Sequence, residues 1–341
     1  MKRLFVLTFI AFLVSNIFAQ QEELNALIGQ GVAFHDEGKY EDAISKYKEA
    51  LGIDKKSTLA NYELSFTYFS IGKYEEAINH STNVVKQNAD HLHPAYIILG
   101  SSLDMIGKAN EAIKVYEKGI EKFPDSYLLY YNIALTSYNQ KEYEKAEKAA
   151  INAISLKPTH GSSHLVLSAV MEAKGQRVKS ILPLYYFLLL EPASNRSLAN
   201  YNNLKKQLGQ GVERKDAKNI NVSVPFTSSS DDFGAAEMMI SLLAASQYTD
   251  ENKDKTEMER FVENNKSVFG ILAELKKENK GFWWDFYVTK FHDLKESDNY
   301  EAFSYYVSQS ANDDIVKNWI ADNTKKMSNL KDWITKQSTM P

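Results

Sequence analysis

Between residues 24 and 194 apolar positions keep to helical spacing and are interrupted at regular intervals by a polar turn, so the pattern predicts pairs of helices. The turn itself repeats. Gly38-Lys39-Tyr40-Glu41-Asp42-Ala43-Ile44 returns as Gly72-Lys73-Tyr74-Glu75-Glu76-Ala77-Ile78, as Gly107-Lys108-Ala109-Asn110-Glu111-Ala112-Ile113, as Lys141-Glu142-Tyr143-Glu144-Lys145-Ala146, and more weakly from Gly175 to Ile181. The steps are 34, 35, 34 and 34 residues. A period of this length marks a chain built from one supersecondary unit stacked on copies of itself.

With the turn glycine placed at position 15, the units begin at Leu24, Thr58, His93, Tyr127 and Gly161, leaving Leu92 as one inserted loop residue. Position 8 then carries Gly31, Ser65, Gly100, Ala134 and Ser168, and position 20 carries Ala43, Ala77, Ala112, Ala146 and Ser180. All are small, as two crossing helices require where their backbones approach. Position 7 supplies Leu64, Leu99, Ile133 and Leu167 to the core. Pro124, Pro158 and Pro192 at position 32 end the second helix, because proline has no amide donor and disfavours helix in the residue before it. The first two units depart, with Lys55 and Ala89.

This punctuation resembles the tetratricopeptide repeat family over about half of the chain, in an exported bacterial setting with a C-terminal helical extension. The resemblance implies an all-α fold, a right-handed superhelical solenoid of five helical hairpins at residues 24–194. In that family positions 2, 5, 9, 12 and 13 line the inner, concave wall. Here they select Tyr62, Phe66, Phe69, Ile97, Met105, Leu128, Tyr131, Leu135, Tyr138 and Leu165 as a candidate partner-binding groove, together with Ser101, Asp104 and Asn139. One subclass grips a terminal carboxylate with inward Lys and Asn, but positions 5 and 9 hold Ile28, Tyr62, Ile97, Tyr131, Leu165 and Val32, Phe66, Ser101, Leu135, Ala169. Without that clamp, the groove suits apolar or aromatic segments, with tyrosine hydroxyls free to meet peptide backbone. The same aromatics could instead be packing between hairpins, or be covered by the protein's own C-terminal part.

Ser197 to Gly209 opens on a serine, spaces apolar residues by three or four and ends on glycine, which reads as a capping helix within 195–209. Residues 210–230 are polar, with Ile220, Val222, Val224 and Phe226 alternating around Pro225 as one extended linker. Helical spacing resumes across 231–337, a small C-terminal module of about five helices that carries all four Trp. Its densest cluster, Gly281-Phe282-Trp283-Trp284-Asp285-Phe286-Tyr287, reads as the buried centre of that module rather than as a sugar or peptide platform. Ile181 to Leu190 is apolar around its whole circumference, so something must cover it, and the C-terminal module is the expected cover.

Met1-Lys2-Arg3, the apolar run Leu4 to Val14 and Ser15-Asn16-Ile17-Phe18-Ala19 form a signal peptide at 1–19. The run is shorter than the roughly 20 residues of a spanning helix, so cleavage after Ala19 would leave no integral membrane segment. Export to a bacterial periplasm or exterior is the expectation. The chain has no cysteine, which excludes disulfides, a lipid-modified cysteine and thiol catalysis. Lys plus Arg total 40 against 44 Asp plus Glu, with no dense basic stripe, which argues against nucleic acid.

Chemistry leaves few marks. The seven His show no metal-ligand spacing, His91-Leu92-His93 falls at the inserted loop where solvent exposure is expected, and neither a phosphate loop nor a GxSxG elbow is present. Asp231-Asp232 and Asp313-Asp314 precede helices and read as caps. No catalytic residue, cofactor or metal is assigned. The expectation is a non-catalytic extracytoplasmic scaffold that binds a protein or peptide; the alternative is an enzyme whose site lies in 231–337, recruited by the repeats.

Overall fold

The computed structural model describes residues 2–215, 219–223, 233–249, 252, 254–277 and 279–338, with side chains for all of these except 2–17, 214 and 338. The chain divides into two compact units, residues 1–140 and 141–341.

The first unit is entirely helical among the described residues: α1 (Lys2–Asp36), α2 (Tyr40–Ile53), α3 (Thr58–Ser70), α4 (Tyr74–Gln87), α5 (Leu92–Met105), α6 (Ala109–Lys122) and α7 (Tyr127–Asn139). Consecutive helices pack as hairpins, and α1 also packs on α3, α3 on α5 and α5 on α7. The second helices α2, α4 and α6 are instead held apart by the first helix between them, so the first-helix layer is the tighter, inner wall of this unit. The turns are built alike. In the first, Gly38 N–H bonds His35 O (2.9 Å) and Lys39 N–H bonds Phe34 O (2.8 Å), closing a left-handed cap at Gly38 (φ +75°) that recurs at Gly72 and Gly107. Lys141 holds the same position in the fourth unit with φ +62°, a conformation that costs a side chain energy which glycine does not pay.

Small residues at position 8 have a sharper cause than helix crossing alone. A Cβ on Gly31 would lie 2.4 Å from the Tyr47 ring, and one on Gly100 would lie 2.2 Å from Tyr116. Both tyrosines stand at position 24, whereas the second hairpin has serine at both places, Ser65 and Ser81. Glycine at position 8 therefore belongs with tyrosine at position 24. Helix α6 and the helices Tyr143–Leu156 and Arg177–Leu190 stop two residues before Pro124, Pro158 and Pro192, yet α2 and α4 have the same 14-residue length without proline. The hairpin sets the length, and Asn88 in the left-handed conformation (φ +52°) ends α4.

The second unit contains α8 (Tyr143–Leu156), α9 (Gly161–Ala173), α10 (Arg177–Leu190), α11 (Ser197–Gly209), β1 (Val212–Arg214), β2 (Ile220–Val222), α12 (Gly234–Ser246), α13 (Glu257–Lys276), a π-helical segment (Trp283–Val288), α14 (Thr289–Glu296), α15 (Tyr300–Val307), α16 (Asp314–Asp322) and α17 (Thr324–Ser338). Its centre is α10, every side chain of which from Arg177 to Leu189 is buried apart from Lys179. It packs on α9, α11, α12, α15 and the π-helical segment, the cover its apolar circumference called for. Tyr185 sits among Phe269, Phe291 and Phe303 with ring centroids at 5.3, 5.7 and 5.9 Å, and its hydroxyl donates to Asn265 Oδ1. Trp284 and Tyr287 are fully buried, as core rather than platform.

Several local expectations change. Leu92 is not a loop residue; it is buried as the first residue of α5, so the insertion lengthens that helix. Ser197 does not cap α11: it lies inside the first turn, and its hydroxyl donates to Glu191 O (2.6 Å) and accepts from Ser194 N–H (2.9 Å). The stretch read as one extended linker folds back, with Val212 opposite Val222 in an antiparallel pair that gives both segments backbone partners. Val224, Pro225, Phe226 and the Asp231-Asp232 pair lie outside the described residues. Asp313 does cap α16, accepting from Ile315 N–H (2.7 Å). The last apolar stretch that the helical spacing predicts, Ile315 to Trp333, forms two helices, parted at Asn323, whose backbone and side-chain N–H groups both bond Trp319 O. Of the leader, Met1 and the side chains of residues 2–17 lie outside the described residues, and no described helix is long and apolar enough to cross a membrane.

Candidate functional site

The first unit sorts its side chains by helix face. Leu64, Leu99 and Ile133 are buried between the layers, with Tyr68 and Tyr96 beside them. Tyr62, Phe66, Phe69, Ile97, Met105, Leu128, Tyr131, Leu135 and Tyr138 all lie on the first helices, and none is buried. Phe66 is 39% exposed and Met105 58%. Phe69 turns its ring edge toward Tyr74 of α4, at 5.7 Å, and so packs within its own hairpin.

The rings of α3 join a longer strip. Phe66 stacks on Tyr62 (6.5 Å) and on His35 of α1 (4.9 Å), His35 meets Tyr40 edge-on (5.2 Å), and Tyr62 stacks on His91 (5.3 Å). His91 is half-buried in the left-handed conformation (φ +62°) at the start of α5, rather than free in solvent. Neither histidine stands at metal-ligand spacing, so the sequence does not mark them by that pattern. The helical offset places His35 at position 12 of the first unit, and that is the signal that could have found it.

Polar ties fix the wall that carries this strip. His35 Nδ1 pairs with Thr67 Oγ1 at 2.8 Å, and Thr136 Oγ1 donates to Asp104 Oδ2 at 2.9 Å. Both join position 12 of one first helix to position 10 of the next. The middle rung is absent: Phe69 stands at position 12, and the buried Ser102 hydroxyl opposite it has no hydrogen-bond partner. Carboxylates accompany the rings. Burial, and then the Asp36 carboxylate, push Glu63 above the usual carboxylate range; burial and then Glu63 push Tyr62 up as well. A separate cavity of about 430 Å3 opens at the α6–α7 turn between His93, Phe123, Ser126 and Leu128.

Family models for the tetratricopeptide repeat match residues 34–96, 95–126 and 115–148. These residues are tetratricopeptide repeats. The BBSome complex member BBS4 of Bos taurus is 26% identical over 138 residues, which are 40% of this chain and 26% of that protein. The protein O-mannosyl-transferase TMTC2 of Homo sapiens is 31% identical over 104 residues, 29% of this chain and 12% of that protein. The chain thus spans a small part of the length of these curated relatives. Among solved structures, the crystal structure of MamA protein is similar with a TM-score of 0.44 at 26% identity, covering 50% of this chain and 93% of that one.

Outside the matched repeats, Leu165 lies half-buried on α9 of the second unit. One residue before it, His164 is fully buried on Tyr186 (4.5 Å). Its Nε2 bonds Pro158 O (2.8 Å), a group that only accepts, so Nε2 carries the proton and Nδ1 accepts from the Tyr287 hydroxyl (2.6 Å). Burial pushes His164 down to about 3, with the Pro158 bond pulling the other way. This unit also holds a cavity of about 580 Å3 lined by Leu156, Tyr186, Phe286, Lys290, Asp285 and Asp293, in which burial lowers the Lys290 amine. Among the described residues no group of His, Asp and Glu is arranged to hold a metal ion.

Proposed function

We propose that this protein is a non-catalytic, extracytoplasmic interaction scaffold whose repeat wall in residues 24–140 holds an extended polypeptide segment rich in apolar and aromatic side chains. A protein-interaction role is what tetratricopeptide repeats support, and one observation carries the finer reading. The Tyr62-Phe66 pair is presented on the inner wall with its flanking histidines, while the hairpin interior beneath it is already filled by Leu64 and Tyr68. Rings held on a rigid helical face lose little entropy on contact, which makes them good interface anchors. Export rests on the basic start, the short apolar run and the small-residue site of residues 1–19. Commitment of Phe269, Trp284, Tyr287, Phe291 and Phe303 to a packed core supports the non-catalytic reading for the second unit.

The test is binding of a labelled uncharged peptide that alternates Leu, Phe and Ser to the full chain, followed by anisotropy. Phe66→Ala is expected to weaken it by about thirtyfold, the effect of losing one central aromatic anchor. Undiminished binding to this variant would remove the wall as the site.

A further inference from the structure

The charges of the first unit are segregated by helix. From Leu24 to Asp36, across α3, α5 and α7, the first helices carry no Lys or Arg, while Asp36, Glu63 and Asp104 lie on them. Every Lys between residues 24 and 140 falls on a second helix or a turn: Lys46, Lys48 and Lys86, for example, or Lys39, Lys73 and Lys108. The inner wall is therefore aromatic and anionic, and the outer layer is where the cations are kept.

We infer that the segment held by this wall is cationic, an extended stretch in which arginine or lysine side chains alternate with apolar ones. This rests on the proposed binding role and names the chemistry of its ligand. A guanidinium brought against the open side of Phe66 lays its apolar plane on the ring strip, and its charge is answered by Asp36 and Glu63 at the same end of the wall. Glu63 is disfavoured as an anion by burial and by the Asp36 carboxylate, so a cation beside the two would relieve that repulsion. An anionic segment would meet the same carboxylates as a cost, which turns the wall into a filter as well as a groove.

Three labelled peptides separate the possibilities, sharing one Leu/Phe scaffold and bearing Arg, Gln or Glu at the alternate positions. Each is titrated against the full chain at low and at high salt. The Arg peptide is expected to bind about three- to tenfold tighter than the Gln peptide, and the Glu peptide more weakly than either, with the differences shrinking as salt screens them. Asp36→Asn, at an exposed position, is expected to bring the ratio of Arg-peptide to Gln-peptide affinity toward one, and Glu63→Gln should act in the same direction. Equal affinity for the Arg and Gln peptides, lost together in Phe66→Ala, would overturn the inference and leave the binding role standing. Failure of all three to bind would overturn both.

Discussion

Phe66 on α3 and Phe269 on α13 show one side chain put to two ends. Phe66 has stacked neighbours in His35 and Tyr62 and still leaves 39% of its surface open. Phe269 is fully buried, ringed by Tyr185, Phe291 and Phe303 at 5.3, 4.9 and 5.8 Å. The first unit fills its interior with small, aliphatic and tyrosine residues, Tyr47, Tyr68, Tyr96 and Tyr116 among them, and keeps Tyr62 and Phe66 at its surface. The second unit begins on the same 34-residue period but makes α10 apolar all round, and must then consume its aromatics to cover that helix. Periodicity thus fixes the hairpin, while the residues on the second helix decide whether aromatics are left for binding.

If the second unit is a committed core, its buried ion pair should matter most. Arg177 donates to Glu237 Oε2 (2.8 Å), to Glu237 O (2.6 Å), to Ser241 Oγ and to Gln210 O, and Val178 N–H donates to Glu237 Oε1 (2.6 Å); the two side chains are almost wholly buried, at 2% and 1% exposure. Glu237→Gln leaves that guanidinium uncompensated and is expected to cost about 3 to 5 kcal/mol in urea unfolding, moving the second unit's transition and not the first's. A loss below about 1 kcal/mol would mean the pair is not a lock.

The first unit is tested by volume. Gly100→Ala drives a methyl into Tyr116 and is expected to cost about 1 to 3 kcal/mol, whereas Gly29→Ala, with nothing within 4 Å of the added carbon, should be neutral or stabilise by up to about 1 kcal/mol. Equal effects would show that position 8 is not set by the position-24 tyrosine.

A smaller effect separates the units by pH. His164 stays neutral in the folded second unit down to about 3, while the unfolded chain protonates near 6.5, so its contribution is fully present above 6.5 and is lost progressively as pH falls from there toward 3. Between pH 6.5 and 5 the second unit should lose about 1.4 kcal/mol per pH unit at the steepest, and His164→Gln should flatten that slope. An unchanged slope would assign the acid sensitivity to other groups.

Much of this was legible in the sequence, for reasons that differ by residue. Gly38, Gly72 and Gly107 announce their turns because a left-handed cap strongly favours glycine, and the all-α class follows from the period. The inner wall was legible as a face, since position within a helix decides its direction. The ties His35 to Thr67 and Asp104 to Thr136 were not, because each spans 32 residues and involves types that elsewhere mean nothing in particular. Leu92 and Ser197 were misplaced for a related reason: a one-residue insertion and a serine near a helix start look alike whether they sit outside or inside the helix. The β1–β2 hairpin is not legible in the sequence, since three-residue strands carry too little pattern to be told from a linker.

Unfolding of Phe66→Ala and Phe269→Ala, measured side by side on the full chain, tests the central contrast most directly. The account predicts that Phe269→Ala costs about 3 to 5 kcal/mol and that Phe66→Ala costs less than about 1 kcal/mol. Comparable losses in the two variants would place Phe66 in the core and contradict the division between a wall kept open for a partner and a unit packed upon itself.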